Sequence, residues 1–104
     1  MRMKNPWKKL SSKYIHENQW FKLREDQVEK PGNRTGSYAF VEITPSVLVV
    51  PINEQGEVYL IGLYRYPTKK YSIEIPAGNS TGEDLLKAAK RELLEETGLI
   101  AKDW

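Results

Sequence analysis

The run Arg91-Glu92-Leu93-Leu94-Glu95-Glu96-Thr97-Gly98-Leu99 constrains this chain more than any other stretch. Together with the residues before it, it reads as one helix. Leu85, Leu86, Ala89 and Leu93 recur at helical period and form an apolar stripe. Thr81-Gly82-Glu83-Asp84 supplies a start with acids in the first turn, where the helix dipole favours negative charge. Gly98, just past the last periodic residue, supplies a left-handed stop. Helical geometry then gathers Glu92, Glu95 and Glu96 within an arc of roughly 100°. Glu92 and Glu96 form an i, i+4 like-charge pair, which costs roughly a few tenths of a kcal/mol if nothing intervenes. A cation reverses that sign, and three converging oxygen donors suit a hard divalent ion. On the helical wheel Glu96 falls between Leu85 and Ala89, at the edge of the stripe and not opposite it. The helix alone leaves a second reading open, an ordinary solvated charge face with Arg91 paired to Glu95.

The surroundings weigh between the two. Ile73-Glu74-Ile75-Pro76-Ala77-Gly78-Asn79-Ser80-Thr81-Gly82-Glu83, then seven residues, then the Arg91–Leu99 run, resembles the Nudix box, G-x5-E-x7-R-E-U-x-E-E-x-G-U with U bulky and apolar. Glu83, Arg91, Glu92, Leu93, Glu95, Glu96, Gly98 and Leu99 match it with the long spacing intact. The loop departs from it: four residues, not five, separate Gly78 from Glu83. Gly78 and Gly82 both permit positive φ, so a shortened loop can still turn the chain from strand to helix.

The resemblance implies hydrolysis of a nucleoside diphosphate linked to another group, with Mg²⁺ or Mn²⁺ countering the charge that builds on the phosphate oxygens. It implies Glu92, Glu95 and Glu96 as metal ligands, joined by the backbone carbonyl of Ala77. Glu92, Glu96 and Arg91 would form the catalytic set, with Arg91 orienting the acids, and Glu83 would brace the loop or pair with Arg91. It also implies an α+β fold, a Nudix-type α/β/α arrangement around a mixed sheet. This chain would carry it incompletely: a β-rich N-terminal arm, central strands and one C-terminal helix.

Val58-Tyr59-Leu60-Ile61-Gly62-Leu63-Tyr64-Arg65-Tyr66-Pro67, followed by Tyr71-Ser72-Ile73-Glu74-Ile75-Pro76-Ala77-Gly78, is similar to the ADP-ribose pyrophosphatase branch. That similarity implies ADP-ribose or a related nucleotide sugar as substrate, with Arg65 on its phosphates and Glu74 nearby. A planar guanidinium suits phosphate because it makes two parallel hydrogen bonds. Leu63 stands where the branch usually has glutamine.

Elsewhere, Lys13–Glu17 and Trp20–Val28 read as strands parted by Asn18-Gln19, and Lys30-Pro31-Gly32-Asn33-Arg34 as a turn. Tyr38–Ile43 reads as a third strand. Val47–Ile52 is a continuous apolar run expected to be a core strand buried on both faces, turning at Asn53-Glu54-Gln55-Gly56 into Val58–Tyr64. The expected division is residues 1–43, an arm that the resemblance assigns to homodimer formation, and residues 44–104, the first half of a Nudix domain. Trp7, Trp20, Phe21, Tyr38 and Phe40 offer aromatic contact in the arm, either to a second copy or to a core of its own. His16, the sole histidine, reads as structural.

At 104 residues there is room for one domain, and a whole Nudix fold needs further strands and a second helix. A truncated chain, binding metal weakly and hydrolysing little alone, is therefore expected. No apolar run of about 18 residues suggests a membrane span. The absence of cysteine excludes disulfides and thiolate metal sites and suits a cytoplasmic protein. Lys4, Lys8, Lys9 and Lys13 around Trp7 form a basic stretch that could touch nucleic acid. A solvated, frayed terminus is the expected state, with nucleic acid not a partner.

Overall fold

The computed structural model describes residues 3–104, which divide into two compact units, 3–43 and 44–104. The first is a meander of β1 (Lys8–Glu17), β2 (Lys22–Lys30) and β3 (Arg34–Glu42), paired antiparallel in chain order. Local chemistry sets both links. The Asn18 side chain accepts hydrogen bonds from the N–H groups of Trp20 and Phe21, at 2.8 and 2.9 Å. Between β2 and β3, Pro31 and Gly32 occupy the centre of a turn closed by Asn33 N–H to the Lys30 carbonyl, 3.1 Å. Gly32 has φ +87°, a positive angle that glycine adopts without steric cost.

The basic stretch is not frayed. Lys8, Lys9 and Lys13 belong to β1, with Lys8 opposite Glu29 and Lys13 opposite Glu25. Opposite charges facing across a ladder hold the strand further towards the N-terminus than its composition suggested. On one face of the sheet Arg24 lies opposite Tyr14 and Phe40, and Asp26 opposite Ser12. The Arg24 guanidinium sits 4.4 Å from the Phe40 ring centre and bonds both Asp26 and Glu42, at 2.8 and 2.6 Å. Arg24, with Ser12 second, holds the buried Asp26 below the usual carboxylate range. Trp7, Tyr38 and Phe40 stack edge to face in sequence, while Trp20 is 70% exposed.

The second unit contains β4 (Ser46–Leu48), β5 (Ile61–Arg65), β6 (Lys70–Glu74), β7 (Ala77–Asn79) and α1 (Leu85–Thr97). β4 pairs antiparallel with β7, and β5 with β6. The helix packs on β4 and β7. The run Val47–Ile52 is not buried on both faces. Val47 and Val49 are buried, whereas Leu48, Val50 and Ile52 are 69%, 56% and 63% exposed. Side chains alternate along an extended chain, and α1 covers only one face.

Helix α1 stops on the glycine read from the sequence, but its start differs from the expected one. Asp84 is its N-cap, accepting from Lys87 N–H at 3.1 Å, so Glu83 and Asp84 precede the first turn and do not occupy it. Gly98 has φ +75° and donates its N–H to the Leu94 carbonyl at 2.8 Å. The buried stripe differs from the expected one: Ala88, Glu92 and Leu93 are buried, and Leu85 and Leu86 are about half exposed. The small Ala88 lets α1 approach the β4–β7 pair with Glu92 facing it.

The shortened loop between β7 and α1 turns through two consecutive left-handed residues, Thr81 (φ +52°) and Gly82 (φ +81°), closed by Glu83 N–H to the Ser80 carbonyl at 3.0 Å. Glycine bears this freely, but a β-branched threonine is strained there. Thr81→Asn is expected to stabilise the chain by roughly 0.5–1 kcal/mol, because asparagine tolerates that conformation. Urea unfolding would read it, and a loss of stability would show that the Thr81 hydroxyl bond to the Ser80 carbonyl outweighs the strain.

Candidate active site

β7 brings backbone groups to the helix. Val49 N–H bonds the Pro76 carbonyl and Ser80 N–H bonds the Pro45 carbonyl, at 2.8 and 2.9 Å. With Val47 opposite Gly78, the ladder alternation turns the N–H and carbonyl of Ala77 and Asn79 away from β4. Both are used accordingly. Ala77 N–H bonds the Glu96 carboxylate, and the Asn79 carbonyl accepts from Arg91 Nη2 at 3.0 Å. The Ala77 carbonyl, on the same edge as its N–H, faces the same side as Glu96. Between them, Gly78 lies directly beneath the Glu92 carboxyl group, and a β-carbon there would overlap it.

Arg91 is the hub of the acids. Its Nε donates to Glu83 Oε1 at 2.7 Å, and its Nη1 to Glu92 Oε1 at 2.8 Å and Glu95 Oε2 at 3.3 Å. Glu83 first, and then Glu92, raise the already high pKa of the guanidinium. The sequence offered no sign that the Asn79 carbonyl joins this hub, since backbone direction within a ladder is not written in side-chain types. The expected convergence of Glu92, Glu95 and Glu96 is not present: among the described residues no three acidic side chains form a metal-binding group. Arg91 draws the exposed Glu95 to its own side. Glu92 and Glu96 do meet. Burial first, and then the neighbouring Glu92, push the Glu96 carboxyl above the usual range. Two carboxylates forced together beside a backbone carbonyl are a hard-oxygen donor set, and they fit a divalent cation.

Glu96 and Ala77 also line a cavity of about 390 Å³ with Ile61, Leu63, Arg65 and Glu74. Strand alternation sets Ile61, Leu63 and Arg65 on one face of the β5–β6 hairpin, with Glu74 on the same face. Arg65 Nε donates to Glu74 Oε2 at 3.0 Å and Nη2 to Oε1 at 2.5 Å. That pairing, with Ser72 second, lowers the Glu74 pKa to about 2. Leu63 gives the cavity an apolar wall where an amide was expected. Of the residues singled out in the sequence, the fold therefore brings Arg65, Glu74, Ala77, Glu92 and Glu96 together, and turns Glu95 aside.

Known proteins resemble this chain in sequence and in fold. Residues 7–41 match the model of the nucleoside diphosphate sugar hydrolase N-terminal domain, and residues 42–104 match that of the NUDIX domain. The chain is 35% identical over 97 residues to an ADP-ribose pyrophosphatase of Mycobacterium tuberculosis, covering 91% of this chain and 47% of that protein. It is 36% identical over 92 residues to a methanol dehydrogenase activator of Bacillus methanolicus, covering 88% and 50%. Thus it spans about half the length of the curated relatives it matches. A crystal structure of an ADP compounds hydrolase superimposes over 99% of this chain and 57% of its own, with a TM-score of 0.80 and 25% identity. The domain match spans most of the chain, including the helix with its acids and the cleft beside it, and on that ground the chain belongs to the Nudix family.

Proposed function

We propose that this chain carries the metal-binding and phosphate-binding parts of a Mg²⁺- or Mn²⁺-dependent hydrolase that cleaves the pyrophosphate of ADP-ribose or a related nucleotide sugar. The carrying observation is the meeting of Glu92 with Glu96, which with Ala77 lines a cleft that also holds Arg65. Glu92, Glu96 and the Ala77 carbonyl would hold the metal, with Glu95 joining them if it leaves Arg91. A bound divalent ion supplies charge neutralisation on the phosphate oxygens. The chain's own residues do the rest. Arg65 offers its fork to a phosphate. Arg91 keeps Glu92 over Gly78 and, through Glu83 and Asn79, fixes the loop against the helix. Water cleaves the phosphoanhydride to release AMP and a sugar phosphate.

Residues 1–43 are proposed as a dimer-forming arm, supported by exposed Tyr38 and Val41 on β3 and exposed Trp20 in the link between β1 and β2. A cytoplasmic setting is proposed on the absence of cysteine. No helix among the described residues is long and apolar enough to cross a membrane.

The test pairs thermal melting in Mg²⁺ with AMP release from ADP-ribose; sedimentation of the same samples reads the dimer. Metal response comes first, because the chain spans about half the length of its relatives. A Mg²⁺-dependent rise in melting temperature with Mg²⁺-dependent AMP release supports the hydrolase. A rise with no release, even in a lengthened protein, transfers the chain to a non-catalytic Nudix binding module. No response to metal overturns the reading.

A further inference from the structure

Resting on the hydrolase reading, we propose that Glu74 is an internal stand-in for phosphate: it closes the Arg65 fork, and only an oxyanion more highly charged than a carboxylate opens it. The geometry is that of a substrate contact. Glu74 takes the Nε–Nη2 edge of Arg65 with both oxygens, as a planar oxyanion does. Both residues line the cleft with Ala77 and Glu96, so the fork lies closed inside the site and not on the outer face of the hairpin.

The pair is built to open. Across the β5–β6 ladder Arg65 faces Lys70, and Glu74 faces Ile61. The two side chains therefore lean along the hairpin to meet, and either can leave without disturbing a ladder hydrogen bond. They are part-exposed, at 49% and 27%, so an incoming anion can reach the fork from solvent. Solvent screening keeps such a pair weak. A pyrophosphate brings more charge than the carboxylate it replaces, and a singly charged anion brings no advantage. Glu74 thereby sets a threshold, making the cleft selective for multiply charged phosphates.

The opposing possibility is that Glu74 braces Arg65 in its working orientation. The two differ in sign. Calorimetric titration of the metal-free chain with inorganic pyrophosphate is compared with Glu74→Gln, which keeps the side chain's shape, and with Arg65→Ala. Glu74→Ala serves as a second release variant, and melting curves confirm that each is folded. The expected result is roughly two- to fivefold tighter binding in both Glu74 variants, the span of a part-exposed ion pair. Arg65→Ala should bind at least about tenfold more weakly. Unchanged or weaker binding in the Glu74 variants makes Glu74 a brace and overturns the proposal. So does an absence of pyrophosphate binding in parent and Glu74 variants alike. Mg²⁺-dependent melting judges the hydrolase reading separately, because it depends on Glu92 and Glu96.

Discussion

Replacing Gly78 by alanine is expected to weaken Mn²⁺ binding by roughly 10- to 100-fold, the loss typical when a metal ligand's support is disturbed. The fold itself should lose only about 1–3 kcal/mol, the usual range for a methyl group forced into a filled site. The separation between the two effects follows from what the new β-carbon would strike. Gly78 is not among the glycines with positive φ, so alanine meets no backbone strain there. Its β-carbon would overlap the carboxyl end of Glu92, whose three carboxyl atoms are the nearest to it. A carboxyl group can swing aside where a backbone cannot, so the strand pairing of Val47 with Gly78 survives. Glu92 cannot swing and also remain beside Glu96. Its bond to Arg91 Nη1 is 2.8 Å, and it is buried, so displacement also disturbs the hub that holds the loop. Manganese titration followed by electron paramagnetic resonance, with urea unfolding on the same samples, separates the two quantities. Unchanged Mn²⁺ affinity in a folded Gly78→Ala chain would remove Glu92 from the ligand set.

That prediction could not have been made from the sequence, and the reason is general to this chain. Signals that act within a few residues were legible: the Thr81–Asp84 segment leads into the helix, Gly98 ends it, and Pro31-Gly32 turns β2 into β3. The spacing of the acids was legible too, since Glu92 and Glu96 on one helix must share a face. The rotation of that helix was not. Leu85 and Leu86 are more apolar than Ala88 and Glu92, yet the latter are the buried ones, with the Glu92 carboxyl group seated over Gly78. Only tertiary packing decides that. The same holds for Val47–Ile52, whose composition cannot tell one covered face from two. Glu95 pairs with Arg91, one of the two readings the helix left open, because Arg91 has several carboxylates within reach and sequence spacing does not rank them. The four-residue loop turns through positive φ at Thr81 and Gly82, which spacing alone did not place, and Glu83 bonds Arg91.

Glu96→Gln is expected to stabilise the metal-free chain at neutral pH, and to abolish most of the stabilisation that Mg²⁺ gives the parent. Glu96 is the one carboxyl at this site whose folded pKa is clearly raised, first by burial and then by Glu92. A raised carboxyl binds its proton more tightly when folded than unfolded. It therefore costs stability at neutral pH, and that cost disappears as pH falls through its folded pKa. Glutamine removes the cost outright. Glu74 has the opposite sign: lowered to about 2 from 4.5, it contributes stability above its unfolded value and loses it as pH falls from about 4.5 towards 2. The metal-free parent should accordingly gain stability on mild acidification and lose it on further acidification, whereas Glu96→Gln should show only the loss. A divalent cation inverts the first effect, because the repulsion between Glu92 and Glu96 becomes shared attraction, and ligand binding to the folded state raises stability. Losing one charged oxygen donor should weaken Mg²⁺ at least about tenfold, and with it the metal-dependent rise in melting temperature. Melting curves over pH, with and without Mg²⁺, read all of these at once. Equal Mg²⁺ stabilisation of parent and variant would place the cation elsewhere. A metal-free variant less stable than its parent at neutral pH would show that the Ala77 N–H bond to Glu96 outweighs the burial and crowding of its charge.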